Sequence, residues 1–395
     1  MKRNICIITQ RLYGGGAERA AANLSNDLSE DNNVYIVAYD GERVDFPYKG
    51  TLIDCSTKPN NTRLGQILNF IKRLLMLRKV KKQFNIDISI SFLRMANFLN
   101  VLSRHKDKVI ISVRNMMSLS NNSRLDNFII SWCGKKADMT VSLSKGVEKD
   151  LIANYQYTPD KVTTIYNSCN FDIFYSESDE LDSLTNLIEN SSHVLVSAGR
   201  LEKQKGQWHQ IRAMSIVTQT HPNCKLIIFG EGSLHEGLKK YAEKLGVENN
   251  VLFPGYVNKY HSLMKKCDVF IFSSLFEGLG NVILEAIACG MPVISCDCEY
   301  GPKEILSSED IEVKDVTYSD YGVLYPAFTQ KEFDVEDLDF EQSDYYLADS
   351  ILSVIDNKDI ILRYKALARE RAKYFTSDYI KSQWMQLFDY LDCTE

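Results

Sequence analysis

Short apolar runs alternate with longer segments of helical periodicity along the first half of the chain. Strands are predicted at Asn4–Thr9, Val34–Ala38, Ile86–Ser91, Val109–Val113, Met139–Ser142 and Lys161–Ile165. Such almost continuously apolar strands are typical of a parallel sheet that is buried on both faces. The pattern therefore predicts an α/β fold in which helices cover both sides of a doubly wound parallel sheet.

The alternation stops once and then starts again. The segment 176–192 is polar and acidic and has little apolar periodicity, so we expect a linker there. Beyond it, strands are predicted at His193–Ala198, Lys225–Phe229, Val251–Phe253, Val269–Ser273 and Pro292–Cys296. The sequence therefore predicts two domains of one class, 1–175 and 193–375, and a C-terminal helix over 376–395 that packs back toward the first domain.

The composition excludes disordered, collagen-like and coiled-coil proteins, because 45% of the 395 residues are hydrophobic and 25% are charged. The N-terminal apolar run Ile5–Ile8 is too short for a signal peptide, and no window reaches about 18 uninterrupted apolar residues. We therefore expect a cytoplasmic protein with reduced cysteines. The spacing of Cys289, Cys296 and Cys298 matches no standard zinc pattern, which favours core thiols.

A glycine-rich segment follows the first predicted strand. Ligands of open parallel sheets bind beyond the carboxyl ends of the strands, often against helix N-termini. The segment Gly14–Arg19 lies at such an end, and Gly15 and Gly16 would let the backbone approach an anion. It has neither the dinucleotide nor the P-loop spacing. An anion-binding loop and a plain strand-to-helix turn are equally consistent with it.

Two further candidates lie in the second half. Arg200 and Lys205 follow its first strand, where two cations could bind a diphosphate, although a solvated basic loop is the alternative. Glu277 is predicted in a loop, and Glu285 on a helix that begins near Asn281. These carboxylates could bind two hydroxyl-rich parts of one ligand. The alternative is a helix-capping and an exposed glutamate.

Together these segments resemble the retaining GT-B glycosyltransferases of family 4, which transfer sugars from nucleotide donors. The matching pieces keep the family's order over nearly the whole chain, and they are Gly14–Arg19, Val141–Val147, Ile165–Asn167, Ser197–Leu201 with Lys205, Phe229–Gly232, Glu277-x7-Glu285 and Gly322–Pro326. The resemblance implies two Rossmann-like domains that face each other across a cleft, the first on the acceptor side and the second binding the nucleotide sugar.

The resemblance also implies roles for individual residues. Arg200 and Lys205 would hold the donor diphosphate, Glu277 would contact the transferred sugar, and Glu285 would accept hydrogen bonds from the ribose. The other implied donor-binding residues are Gly15, Gly16, Arg114, Asn115, Tyr256, Val257, Leu279, Gly280 and Asn281.

One segment departs from the usual family pattern. Many relatives carry a histidine near the donor sugar, whereas this chain has Ser112-Val113-Arg114-Asn115. That sequence resembles the Ser-Glu-Arg-Asn version of some bacterial transferases, which favours UDP-Gal or UDP-GalNAc as the donor. Family members usually retain the anomeric configuration, and no metal or other cofactor is expected. The Asp337-x-Asp339 pair lies in an acidic stretch and is predicted to be a solvated loop.

The positive charge of the chain is concentrated in its first half. Residues 1–180 carry 25 Lys+Arg and 19 Asp+Glu, whereas 181–395 carry 21 and 33. The predicted helix Arg63–Phe84 has no acidic residue up to Lys82 and interleaves basic with apolar positions. The cations expected to face a membrane are Lys72, Arg73, Lys79 and Lys82. Because lipid-linked acceptors are frequent in the family, two interpretations of this helix are equally favoured: it lies on an anionic membrane surface, or it is a core helix with a basic outer face.

The sequence thus predicts transfer of a hexose or N-acetylhexosamine from a nucleotide diphosphate sugar to a growing glycan during cell-surface polysaccharide biosynthesis. The family resemblance allows this glycan to be linked to a lipid. A sugar-nucleotide epimerase, a phosphorylase and a non-catalytic carbohydrate-binding protein are the alternatives. The combination of both glutamates with Arg200 and Lys205 argues against the last. Nucleic-acid binding is not expected, because no recognition motif accompanies the basic charge.

Overall fold

The computed structural model describes residues 2–58, 61–118, 123–169, 182–257, 259–329 and 332–394. The chain forms two compact units. The first unit comprises Met1–Ser168 together with Ser377–Glu395, and the second comprises Cys169–Thr376. The last 19 residues thus fold with the first unit, as the fold prediction expected.

The first unit is built on a seven-stranded parallel sheet with the strand order β3-β2-β1-β4-β5-β6-β7. The strands are β1 (Asn4–Thr9), β2 (Asn33–Ala38), β3 (Thr51–Asp54), β4 (Ile88–Phe92), β5 (Lys108–Val113), β6 (Met139–Ser142) and β7 (Val162–Thr164). All six predicted strands are confirmed. The sequence missed the edge strand β3, in which Thr51 is exposed, the other three residues are only partly buried, and no apolar run occurs.

Five helices alternate with these strands, namely α1 (Gly16–Leu28), α2 (Arg63–Gln83), α3 (Arg94–Leu102), α4 (Arg124–Lys136) and α5 (Lys145–Tyr155). Side chains at their first residues fix where several of them begin. Ser123 and Asp126 form a reciprocal capping box on α4, and Ser144 accepts a hydrogen bond from the backbone of Val147 at the start of α5.

The second unit repeats this plan with the order β10-β9-β8-β11-β12-β14-β13. Its strands are β8 (His193–Ala198), β9 (Cys224–Phe229), β10 (Val251–Gly255), β11 (Val269–Phe272), β12 (Val293–Asp297), β13 (Thr317–Tyr318) and β14 (Val323–Pro326), and β13 is antiparallel to β14. In both sheets the chain reverses the direction of its winding beside the first strand. Such a reversal point is where open α/β sheets bind their ligands.

The helices of the second unit are α6 (Asp182–Asn190), α7 (Gln207–Thr220), α8 (His235–Lys244), α9 (His261–Met264), α10 (Asn281–Ala288), α11 (Pro302–Leu306), α12 (Gln342–Ile355) and α13 (Lys358–Ala372). The helix α6 lies inside the segment that was predicted to be a linker, and residues 170–181 are outside the described part of the chain. Cys289, Cys296 and Cys298 are free and buried, which confirms them as core thiols.

The C-terminal helix α14 (Ser377–Cys393) completes the core of the first unit. It buries Trp384 and Phe388 in the same apolar cluster as Leu24 of α1. At the edge of this contact, Arg3 binds Asp389 and Asp392 at 2.6 and 2.7 Å. The chain therefore leaves the first unit after β7 and returns to it only with its last helix.

Candidate functional site

The loops after β8 and β11 meet at the reversal point of the second sheet. Gly206 lets them meet, because it has a φ of +58° and a Cβ there would lie 2.4 Å from the carbonyl oxygen of Ser273. The Lys205 ammonium forms an ion pair with the Glu277 carboxylate, and their side chains are only 16% and 12% exposed. The fold thus joins a predicted phosphate-binding cation to a predicted sugar-binding carboxylate 72 residues away.

Arg200 lies in the same loop but is arranged differently. Its side chain is exposed, and no carboxylate of the described residues pairs with it. Its backbone carbonyl accepts a hydrogen bond of 2.9 Å from Gln207, the first residue of α7, which fixes the loop at this point. The loop therefore offers one solvent-facing guanidinium and one ammonium already engaged by a carboxylate, which together can bind an anion.

Glu285 is held by two neighbours that the sequence analysis did not predict. Its Oε2 accepts hydrogen bonds from the Tyr260 hydroxyl and from Nε2 of His261, the latter at 2.9 Å. The rings of Tyr260 and His261 stack with their centroids 4.2 Å apart. Because these residues precede Glu285 by 25 and 24 positions, no local pattern indicates the contact. The carboxylate is buried and oriented before any ligand arrives.

The start of α10 connects the two glutamates. Gly280 caps the helix with a φ of +91°, Leu279 is buried and Asn281 is partly exposed. At the edge of the second sheet, Tyr256 and Val257 directly follow β10, and the Tyr256 ring is largely exposed. The predicted residues of the second unit thus lie in the segments that follow the carboxyl ends of its strands, and Glu285 lies in the second turn of α10. Their roles toward a donor stay predictions.

The glycine loop of the first unit already contains a carboxylate. A Cβ at Gly15 would lie 2.2 Å from Oε2 of Glu18, whose buried side chain folds back onto the loop. Arg11 offsets this charge, with its Nε 3.4 Å from Glu18 Oε1. Gly16 is the first residue of α1. A side chain at position 15 would therefore displace the Glu18 carboxylate from the loop, whereas contact of Gly15 and Gly16 with a phosphate stays a prediction.

Arg114 and Asn115 directly follow β5 of the first unit. Nη1 of Arg114 donates to Oδ1 of Asn167 at 2.7 Å, and the guanidinium carbon lies 4.9 Å from the centre of the Phe92 ring. The Asn115 side chain is exposed. The two residues that replace the family's histidine segment therefore differ. Arg114 packs at the carboxyl end of the first sheet, whereas Asn115 faces solvent.

The basic helix α2 corrects one prediction. Arg73 does not face outward, because its Nε and Nη2 each donate to Thr57 at 2.7 Å and its guanidinium stacks on the Tyr39 ring. Lys72, Lys79 and Lys82 are exposed, as predicted. At 100° per residue, Arg73 lies on the side of α2 opposite the exposed apolar residues, so it points toward the protein. The sequence alone does not show which of the two sides is exposed, because an arginine can be packed inward as well as solvated.

The outer face of α2 is apolar in its first half. The exposed residues there are Leu64, Ile67, Leu68, Ile71 and Leu75, each between 46% and 69% exposed. They recur at helical spacing and are followed on the same side by Lys79 and Lys82. Leu77 and Val80 of the same helix pack into the core of the first unit, so α2 has a buried face as well as this exposed apolar one. Contact of the exposed face with a membrane stays a prediction. No helix in the described ranges is both long and apolar enough to cross a bilayer.

The side chains that could ligate a metal ion are scattered over the described part of the chain. Within the described residues, no three His, Cys, Asp or Glu side chains are grouped so that they could hold an ion. Asp337 of the predicted solvated pair lies 3.6 Å from Arg212 and its carbonyl accepts from Tyr241. The acidic stretch therefore contributes contacts that hold the second unit together.

Comparison with known proteins gives consistent matches over both units. The sequence profile of Glycosyltransferase Family 4 matches residues 14–172, and that of Glycosyl transferases group 1 matches residues 180–318. An uncharacterized glycosyltransferase of Methanocaldococcus jannaschii is 32% identical over 81% of this chain and 83% of its own length.

A second relative has a more specific name. It is the N-acetylgalactosamine-N,N'-diacetylbacillosaminyl-diphospho-undecaprenol 4-alpha-N-acetylgalactosaminyltransferase of Campylobacter jejuni, which is 28% identical over 93% of this chain and 94% of its own. Among solved structures, HepE of Anabaena in complex with UDP matches with a TM-score of 0.77 over 99% of this chain and 100% of its own, at 18% identity. The fold is therefore GT-B.

Proposed function

The chain belongs to the GT-B glycosyltransferases of the family 4 type, and we propose that it transfers a hexose or N-acetylhexosamine, with retention of the anomeric configuration, from a uridine diphosphate sugar to a lipid-linked glycan. The observation that carries this proposal is the contact of Lys205 with Glu277 at the reversal point of the second sheet. The implied phosphate and sugar ligands of the family thus lie side by side, with Glu285 already oriented nearby.

The donor and the acceptor are proposed from two kinds of likeness. The Campylobacter jejuni relative carries N-acetylgalactosamine and diphospho-undecaprenol in its name. The Ser112–Asn115 segment favours UDP-Gal or UDP-GalNAc as the donor, and the second of these carries the sugar in the relative's name. Such an enzyme would extend a glycan for a cell-surface polysaccharide such as a capsule or lipopolysaccharide, at the inner face of the membrane.

The geometry suggests how the second unit would act on this donor. Arg200 and Lys205 would bind the diphosphate and stabilise the negative charge that develops on the departing nucleotide. Glu277 would then release Lys205 in part and accept hydrogen bonds from hydroxyls of the transferred sugar. Glu285 would accept from the ribose, and the proposed reaction uses these cations in place of a metal ion.

A transfer assay tests the proposal. The protein is incubated with UDP-Gal, UDP-GalNAc, UDP-GlcNAc, UDP-Glc or GDP-Man and a prenyl-diphosphate-linked acceptor, with and without EDTA, and the product anomer is determined by NMR. We expect an α-linked product from UDP-Gal or UDP-GalNAc, unaffected by EDTA. A β-linked product would contradict retention, and transfer from GDP-Man alone would contradict the proposed donor.

The ribose contact gives a more specific prediction. Tyr260→Phe removes the hydroxyl that donates to Glu285 Oε2, so the orientation of the carboxylate should be less well fixed. We expect the preference for UDP over 2′-deoxy-UDP, measured by calorimetry, to fall about threefold to tenfold in this variant and to disappear in Glu285→Gln. Equal weakening of both nucleotides would show instead that Tyr260 only supports the local fold.

The proposal includes attachment to an anionic membrane through α2. Each exposed cation near such a surface contributes roughly 1 kcal/mol, and the exposed leucines and isoleucines add apolar contact. Replacing Lys72, Lys79 and Lys82 together with glutamine should therefore lower partitioning onto phosphatidylserine-containing liposomes by about tenfold to a hundredfold, measured by co-sedimentation.

A matched variant controls for the charge change itself. Lys239, Lys240 and Lys266 are also exposed lysines but lie in the second unit, and their replacement with glutamine should leave liposome binding unchanged. If the α2 variant binds liposomes as tightly as the wild type, or if both variants lose binding equally, α2 is not the membrane-facing surface.

A further inference from the structure

Arg114, at the carboxyl end of β5 in the first unit, is a cation that pairs with no carboxylate of the described residues. Its guanidinium donates a hydrogen bond to the neutral amide of Asn167 and lies against the Phe92 ring. Its Nε is shielded from solvent and has no hydrogen-bond partner among the described residues. Desolvation lowers the pKa of Arg114 to about 9, so the guanidinium is still charged at neutral pH.

Two fully buried cations of the chain, Lys81 and Arg212, each have a carboxylate partner. Lys81 forms an ion pair with Asp107 at 2.8 Å, and both side chains are fully buried. Arg212 lies 3.2 Å from Asp344, which is also fully buried. A desolvated charge is costly unless it is paired.

Arg73 and Arg371, like Arg114, have no carboxylate partner among the described residues, but Nε and Nη2 of each donate to protein oxygens. Arg114 differs because its Nε makes no hydrogen bond within the described part of the chain. A ligand can supply both the missing charge and the missing acceptor.

The strand order shows what else lies at this position. The strand β6 separates β5 from β7, so the hydrogen bond from Arg114, after β5, to Asn167, after β7, spans the carboxyl end of β6. The helix α5 starts directly beyond that end, at Lys145. Its N-terminus adds positive potential at the same edge of the sheet, as helix N-termini do.

We propose that Arg114 binds a phosphoryl group of one of the two substrates. The inference rests on the proposed function, in which both the nucleotide sugar and the prenyl-linked acceptor carry a diphosphate. A planar guanidinium can hold two phosphoryl oxygens at once, and such a ligand compensates the charge of Arg114. Neutral sugar hydroxyls, which the family resemblance implied for this position, would leave that charge uncompensated.

Two substitutions test this assignment from opposite directions. Arg114→Gln removes the cation. Asn167→Asp keeps the cation but places a carboxylate at the atom that already accepts its hydrogen bond, 2.7 Å away. Both variants should weaken binding of the same diphosphate at least tenfold in calorimetry, whereas Arg114→Lys should weaken it less. Asn167→Asp should also raise the melting temperature, because it supplies the missing counter-charge.

The probes are UDP, uridine, farnesyl diphosphate and farnesol. A loss confined to UDP assigns Arg114 to the donor, a loss confined to farnesyl diphosphate assigns it to the acceptor, and uridine and farnesol should be unaffected in either case. If Asn167→Asp melts higher but binds both diphosphates as the wild type does, Arg114 is structural and the inference is wrong. If the wild type binds no UDP, the proposed function itself fails.

Discussion

Replacing Arg200 with alanine is expected to lower kcat/KM for glycosyl transfer by about 10² to 10³-fold while leaving the melting temperature unchanged. Preorganised groups that stabilise developing charge in the transition state contribute a few kcal/mol each. The Arg200 side chain is exposed and pairs with no carboxylate of the described residues, so its loss removes no contact that holds the fold. Steady-state kinetics of UDP release and differential scanning calorimetry measure the two effects.

Lys203 provides the matched control for this prediction. It lies two residues from Lys205 in the same loop, but its ammonium pairs with Glu332 and both side chains are largely exposed. Lys203→Ala removes an equal charge from the loop and should change kcat/KM by less than about threefold, because an exposed ion pair contributes little. Equal losses in both variants would mean that only the general positive charge of the loop matters. A lower melting temperature in Arg200→Ala would show a structural role.

Replacing Glu277 with glutamine is expected to have opposite effects on binding and on catalysis. The substitution frees Lys205 from its ion pair and removes a negative charge beside the diphosphate site. UDP should therefore bind about tenfold more tightly. Transfer should fall by at least about 10²-fold, because the carboxylate that would orient the sugar is lost. Calorimetric titration with UDP and turnover with the sugar nucleotide separate these effects.

The control removes the corresponding carboxylate of the neighbouring pair. Glu332→Gln frees Lys203 in the same way, yet it should alter neither UDP affinity nor turnover. If Glu277→Gln instead weakens UDP binding and lowers the melting temperature, the main role of Glu277 is to hold Lys205 in place. The assignment of Glu277 to the transferred sugar would then be withdrawn.

The sequence predicted the parts of this protein that depend on local patterns. Apolar strands alternate with helices because a parallel sheet requires helical crossovers, so eleven strands, including β1 and β8, could be read directly. The same reasoning placed Arg200 and Lys205 at the end of β8. Because ligands of such sheets bind at strand ends, the candidate site could be located before the structure was known.

The remaining features depend on contacts between distant residues. The hydrogen bonds of Tyr260 and His261 to Glu285 and the inward turn of Arg73 onto Thr57 have no signal in local periodicity. That no carboxylate of the described residues pairs with Arg114 is likewise visible only in three dimensions, since the sequence cannot show which carboxylates lie near a given cation.

Ligand-induced stabilisation shows directly whether this protein has a binding site for a uridine diphosphate sugar. A donor present at 100 times its dissociation constant should stabilise the protein by about 2.7 kcal/mol, which is visible as a thermal shift. We predict such a shift with UDP-GalNAc or UDP-Gal and with UDP, unchanged by EDTA and absent with GDP-Man. The absence of a shift with every uridine nucleotide would contradict the account.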